Sequence, residues 1–194
     1  MLPNNQEIPE QATIVYVKGA DGSYVPLTLD AAAGTSGITA SASFAPTAAA
    51  YGAGDIMDVP KEFAFTYANG VAIRPGALIR ILSSVTKIAI SAVPANQTSY
   101  TLRTYSRTPP SALADNALWI PKAVDQTCRR KPIALGTPIL EAVGGEFLAA
   151  DAQYIDADIK LEDTSSSLWA NLVTDGAHTA AAVARQVILY GIVL

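Results

Sequence analysis

The sequence predicts an all-β chain: an antiparallel β-sandwich, jelly-roll-like, with an N-terminal arm and hairpin and one short helix. Three observations carry that expectation. Short apolar, β-branched runs recur along the 194 residues, several with strict alternation. Gly, Pro, Asp-Gly and Asn-Gly punctuate them at turn-like intervals. One stretch stands out as the best short-helix candidate.

The elements follow in order. Thr13 to Val17 and Ser23 to Leu29 are β-rich runs around Asp21-Gly22, a hairpin signal, and Pro26 demotes the second run to an edge or short strand. Ala31 to Gly37 has few side chains to bury and reads as a linker. Residues 1–37 are therefore expected to form an arm and residues 38–194 the sandwich domain.

Ile38 to Phe44 alternates and opens that domain. A loop, Ala45 to Val59, precedes the strand Glu62 to Tyr67. Gly76 to Leu82 and Lys87 to Ser91 read as two further strands. Thr98 to Tyr105 puts Tyr100, Leu102 and Thr104 on one face and Thr101, Arg103 and Tyr105 on the other. After Pro109-Pro110, Ser111 to Trp119 is the short-helix candidate, with Ser111 as cap and Leu113, Ala117 and Leu118 at helical spacing; Pro121 ends it.

Gln153 to Leu161 has clean period two, with Ile155, Ala157, Ile159 and Leu161 inward. Ser167 to Thr174 and Arg185 to Leu194 complete the set. The last run is almost wholly apolar, which fits a central strand covered on both faces or one buried at a subunit contact. About eight strands with short turns suit a sandwich, for which the jelly roll is a common arrangement.

Composition narrows the function classes. Net charge is −4 and 15% of residues are charged, with a mean hydropathy of +0.26. Phosphate-backbone binding needs clustered cations, so no nucleic-acid partner is expected. The basic groups are few: Arg129-Arg130-Lys131, with Arg103 and Arg107 nearby. No apolar run approaches the roughly 18 residues of a membrane span, so no membrane partner is expected either. Met1 to Gln11 lacks the basic and apolar regions of a signal peptide. With the single Cys128, this suits a protein made in a reducing cytoplasm.

Catalytic, cofactor and metal sites are each expected to be absent. His178 is the only histidine and sits in a Gly-containing loop, where a surface position is expected. Asp156 and Asp158 share the solvent face of one strand, whereas paired catalytic carboxylates converge from different segments. Asp55, Asp58, Asp115 and Asn116 are too sparse for Ca²⁺, and Asp115-Asn116 suits a cap or bonds within its own loop. Gly52-Ala53-Gly54 lacks the sequence of a nucleotide loop. Trp119 and Trp169 suit packing or a subunit contact better than sugar stacking. The candidate interaction residues are Ile14, Tyr16, Tyr24, Trp119 and Trp169.

Several segments carry a resemblance. Tyr100-Thr-Leu-Arg-Thr-Tyr105 and Thr108 to Trp119 resemble a family of tailed-bacteriophage virion structural proteins, as do Ala53-Gly54-Asp55-Ile56, Leu135-Gly136-Thr137-Pro138 and Leu168 to Ala177. The resemblance runs from Ile38 to the C-terminal residue; the N-terminal arm and Arg129-Arg130-Lys131 depart from the family pattern. It implies a β-sandwich on the virion, without catalytic residues. The expected function is a capsid decoration or cement protein on the outer head surface, partnered by the major capsid protein. The expected assembly is a homotrimer, put together in the host bacterial cytoplasm. The alternatives are a tail, neck or fibre-associated protein and, in another class, a glycan-binding module using the tryptophans. A hydrolase ranks last, for want of a nucleophile–base pair.

Overall fold

Antiparallel pairing organises the described strands. The computed structural model describes residues 15–18, 24–27, 37–111, 113–140 and 145–194. The chain divides into two compact units, Met1–Thr35 and Ser36–Leu194.

Among the described residues the first unit contains one antiparallel strand pair. Its strands are β1 (Val15–Lys18) and β2 (Tyr24–Leu27), paired Val15 with Leu27 through Lys18 with Tyr24. Pro26 sits in a strand with a single partner, as the missing N–H requires. Tyr16 is on β1 and Tyr24 on β2; Ile14 lies outside the described residues.

The second unit is an all-β sandwich. Its large sheet contains β3 (Gly37–Phe44), β6 (Thr66–Tyr67), β7 (Leu78–Ile88), β10 (Ile139–Leu140), β11 (Leu148–Ala152), β12 (Ala157–Lys160) and β15 (Arg185–Val193). The order is β10-β11-β7-β15-β3-β6, with β12 also on β7. The small sheet is β5 (Lys61–Ala64), β13 (Ser167–Thr174), β8 (Tyr100–Tyr105) and β9 (Ile133–Gly136), in that order. A two-residue pairing of β4 (Ala50–Tyr51) with β14 (His178–Thr179) completes the strands. The chain alternates between sheets, and its first sandwich strand, β3, lies beside its last, β15. That strand order is jelly-roll-like.

Alternation explains the core. Ile38, Ala40 and Phe44 of β3, Val187 and Leu189 of β15, and Ile79, Ile81 and Ile88 of β7 point inward. They meet Phe63 of β5, Tyr100 and Leu102 of β8 and Leu168, Ala170 and Leu172 of β13. Full burial of such a side chain contributes about 1.5–3 kcal/mol. On β15, Gln186 and Tyr190 remain exposed. This strand is central in its sheet and, among the described residues, covered on one face only, so of its two expected settings the one with both faces covered within the chain is not observed.

Two strand expectations change at irregularities. Leu78–Ile88 is one strand rather than two runs, because a bulge absorbs Leu82: Tyr190 opposes Ser83, and Gly191 opposes Ile81. The bulge turns Ser84 and Thr86 into the core. A Cβ at Gly191 would meet the Arg80 carbonyl, so only glycine fits there. The run Gln153 to Leu161 contracts to Ala157–Lys160, because Tyr154 (φ 56°) and Asp156 (φ 47°) take left-handed conformations. Its predicted inward set holds: Ala157, Ile159 and Leu161 are buried, and Ile155 packs against the core.

The short helix does not form at Ser111 to Trp119. Its capping residues are taken by longer-range partners. Ser111 N–H donates to Asp125 Oδ1 at 3.0 Å and its hydroxyl donates to Asp125 Oδ2. Asp115 accepts from Thr47 N–H, Thr47 Oγ1, Tyr51 OH and Asp58 N–H. The only helical turn among the described residues is a 3₁₀ turn at Ala123–Thr127, which Asp125 closes by accepting from Lys122 N–H at 2.7 Å.

Candidate functional site

The small sheet has a second apolar layer on its outer face. Alternation places Arg103 and Tyr105 of β8, and Trp169, Asn171 and Val173 of β13, on the face away from the main core. Tyr105, Val173, Ile56, Leu113 and Cys128 form this second cluster, with Trp119 and Trp169 packed against it.

Two irregular segments build the cover. Residues 54–57 continue the sheet beyond β5: Met57 N–H donates to Leu172 O, Thr174 N–H to Asp55 O and Gly54 N–H to Thr174 O. Residues 116–119 then pair along their far side, with Ile56 N–H to Ala117 O, Asn116 N–H to Ile56 O and Trp119 N–H to Gly54 O. Left-handed Gly54 (φ 86°) and Asn116 (φ 57°) permit the turns into these segments. Trp119 is thereby carried on a backbone fixed to the sandwich. Its Nε1 donates to the Tyr105 hydroxyl at 2.8 Å.

Arginines surround the indole. Arg103 Cζ lies 4.4 Å from the Trp119 ring centroid, and Arg129 Cζ lies 5.2 Å from it. Together with Thr104, Tyr105, Arg130 and Pro132 they line a crevice of about 10 Å³. Beside Trp119 in sequence, Leu118 is 55% and Ile120 63% exposed, and Val124 on the same loop is 52% exposed. Exposed aliphatic residues beside a tryptophan and arginines have the composition of a protein-contact surface.

Buried polar groups hold the cover in place. Burial works to raise the Asp125 pKa; bonds from the Ser111 hydroxyl, Ser111 N–H and Lys122 N–H outweigh it and hold the carboxyl below its ordinary value. Burial likewise opposes ionisation of Asp115, and the bonds from Asp58 N–H, Tyr51 and Thr47 prevail. Cys128 is buried, and burial pushes its thiol pKa up, which suppresses thiolate chemistry.

The other residues singled out in the sequence fall elsewhere. His178 is buried on β14 rather than on a surface loop, because β14 pairs with β4 and closes that end of the core. Its ring stacks on Tyr51 at 6.0 Å and meets the edge of Tyr100 at 5.8 Å. Asp156 and Asp158 are exposed and both engage Arg80, with Asp158 bidentate at 2.6 and 2.8 Å. Asp115 bonds to three residues of the 45–59 region, Thr47, Tyr51 and Asp58, rather than within its own loop. Among the described residues, no group of three or more His, Cys, Asp or Glu could hold a metal ion, and no helix is long and apolar enough to cross a membrane. Tyr16 and Tyr24 belong to the separate first unit.

The structure thus brings Trp119 and Trp169 onto one cluster and sets Arg103 and Arg129 against the Trp119 ring, which the sequence alone did not single out. The available signal was Arg103 alternating onto the Tyr105 face. Comparison with protein-family models, curated proteins and solved structures gave no match.

Proposed function

We propose that this chain is a structural protein of a tailed-bacteriophage virion, a decoration or cement protein that binds the outer surface of the head. One observation carries the reading. Four of the segments that resemble such proteins, around residues 53–56, 100–105, 108–119 and 168–177, are distant in sequence yet join in one hydrogen-bonded layer around the second cluster. A resemblance concentrated in one assembled surface suits a contact function. Jelly rolls recur in viral capsid proteins and also in lectins, so the fold supports the reading without deciding it.

A cement protein works by adding contact area across neighbouring shell subunits. A standard interface buries about 1,600 Å² in total, and shell symmetry multiplies it. A rigid sandwich with an exposed Leu118–Val124 loop suits that task, and the separate N-terminal unit offers a second point of attachment by strand addition. The outer face of β15, with Ile188, Tyr190 and Ile192 incompletely covered, suits contact between copies in a trimer. The glycan reading has less support. The guanidinium groups of Arg103 and Arg129 lie against the Trp119 ring, where a sugar would stack.

Mass-spectrometric stoichiometry of purified particles tests the proposal. Hundreds of copies per particle, as shell symmetry dictates, are expected for a head decoration; about a dozen or fewer would place the chain on the tail, and none would remove the virion reading.

A further inference from the structure

We infer that the crevice between Arg103, Trp119, Arg129 and Arg130 is a carboxylate-recognition site, and that it takes an acidic side chain from an apolar segment of a partner protein. The inference deepens the contact reading above and rests on it.

Charge is the first argument. The guanidinium groups of Arg103 and Arg129 lie against one indole, and Arg130 also lines the crevice, in a chain whose net charge is −4. Among the described residues none of the three forms an ion pair, as is also true of Arg74, Lys87, Lys122, Lys131 and Arg185. Arg130 is spent partly on carbonyls, donating to Lys160 O and Arg129 O, and Arg129 donates to Gln126 Oε1. Arg103 Nε is buried with no hydrogen-bond partner among the described residues. A planar guanidinium fork held over an indole is pre-organised for a carboxylate.

Size is the second argument. A crevice of about 10 Å³ admits roughly one water-sized group. It accepts a single anionic oxygen such as that of a carboxylate; a sugar ring is too large. Three arginines also fall short of the extended cationic track that a nucleic acid requires.

The setting is the third. Leu118, Ile120 and Val124 are exposed on the loop that carries Trp119. A partner segment that seats its carboxylate between the arginines meets apolar side chains on the same loop. Arginine and tryptophan are the residue types enriched at interface hot spots.

Titration calorimetry on the full chain tests this, with a random glutamate–leucine copolymer as probe and a glutamine–leucine copolymer as its uncharged match. The glutamate polymer is expected to bind at least about tenfold more tightly, with affinity falling as salt rises. Arg103→Gln with Arg129→Gln is expected to remove that preference, and Arg103→Lys not to restore it. Ile120→Asp, at an exposed position that leaves the core intact, is expected to weaken glutamate-polymer binding as well. Equal affinity for both polymers, or an undiminished preference in the double variant, overturns the inference. So does preferential binding of polyphosphate or dextran, or self-association in the ultracentrifuge that Arg129→Gln abolishes, since the occupant is then another molecule. Particles separate the two proposals. If they carry the double variant at full occupancy, the virion reading stands and this site falls. If the preference for glutamate holds while particles lack the protein, the site stands and the virion reading falls.

Discussion

β13 and β15 are both apolar strands with a partner on each side, yet their surroundings differ. β13 has main-core residues on one face and the Trp119 layer on the other, and only Trp169 among its eight residues is not fully buried. β15 has the core on one face, while Gln186 and Tyr190 look outward uncovered. The more continuous apolar run belongs to β15, the strand with less cover. Apolar continuity therefore marks something other than burial among the described residues at β15, while β13 carries Trp169 on a face packed by Ile56 and Leu113 from two other regions. An exposed face that keeps Ile188, Tyr190 and Ile192 and a covered face that admits polar groups both identify places where contacts beyond the sheet decide the sequence.

The sharpest test of the contrast begins where the strands agree. Leu172→Ala on β13 and Leu189→Ala on β15 both open the shared core, and each is expected to cost about 2–5 kcal/mol in urea unfolding. A cost well under about 2 kcal/mol at either position contradicts its burial in the common core. Removing the Asp125 carboxylate strips the cover of its fastening. Asp125→Ala leaves the Ser111 and Lys122 donors unpaired and is expected to cost about 2 kcal/mol, with hydrogen exchange rising in residues 108–130 before the sheets.

The outer faces should then part company. Val173→Ser, beneath the Trp119 layer, is expected to cost about 2 kcal/mol, and Ile188→Ser on the open face under about 1 kcal/mol. Similar costs for the two serine variants would erase the distinction between covered and open sheets. The smallest effect is one of pH. Burial first, and then the charge of Arg185, push the His178 imidazole below its ordinary value of 6.5. The unfolded chain binds the proton first as pH falls. Stability is thus full above about 6.5 and declines below it, toward the lower folded pKa. The urea midpoint should drop between about pH 7 and 5 in the wild type, with a flatter profile in His178→Gln. A midpoint that rises on acidification contradicts a neutral buried imidazole.

The alternating strands were legible because period-two burial follows from local geometry. Tyr100, Leu102, Ala157, Ile159 and Leu161 all face the core as their spacing predicts. The helix at Ser111 to Trp119 was misread because a capping residue is recognised by type alone, while Ser111 and Asp115 bond to Asp125, Thr47, Tyr51 and Asp58. The bulge at Leu82 leaves no local signal either; Gly191, which permits it, lies on the neighbouring strand. His178 looked like a surface residue since only its long-range neighbours Tyr51 and Tyr100 bury it. For the candidate site, the tryptophans stood out by type. The arginines did not, because Arg103 and Arg129 meet only once the loop has folded over β8.

The adjacency of β3 and β15 also has a kinetic side. Their partners are roughly 150 residues apart, so the large sheet closes by a search over most of the chain, which makes high contact order and slow folding the expectation. During synthesis β3 and β7 emerge long before the strand that fits between them. Until β15 leaves the ribosome, each keeps an unpaired edge beside an apolar face, the condition under which nascent β chains adhere to one another. Yield in the cell should therefore depend on chaperone holding and on translation speed late in the message, and a chain stalled before Arg185 should be insoluble rather than partly folded.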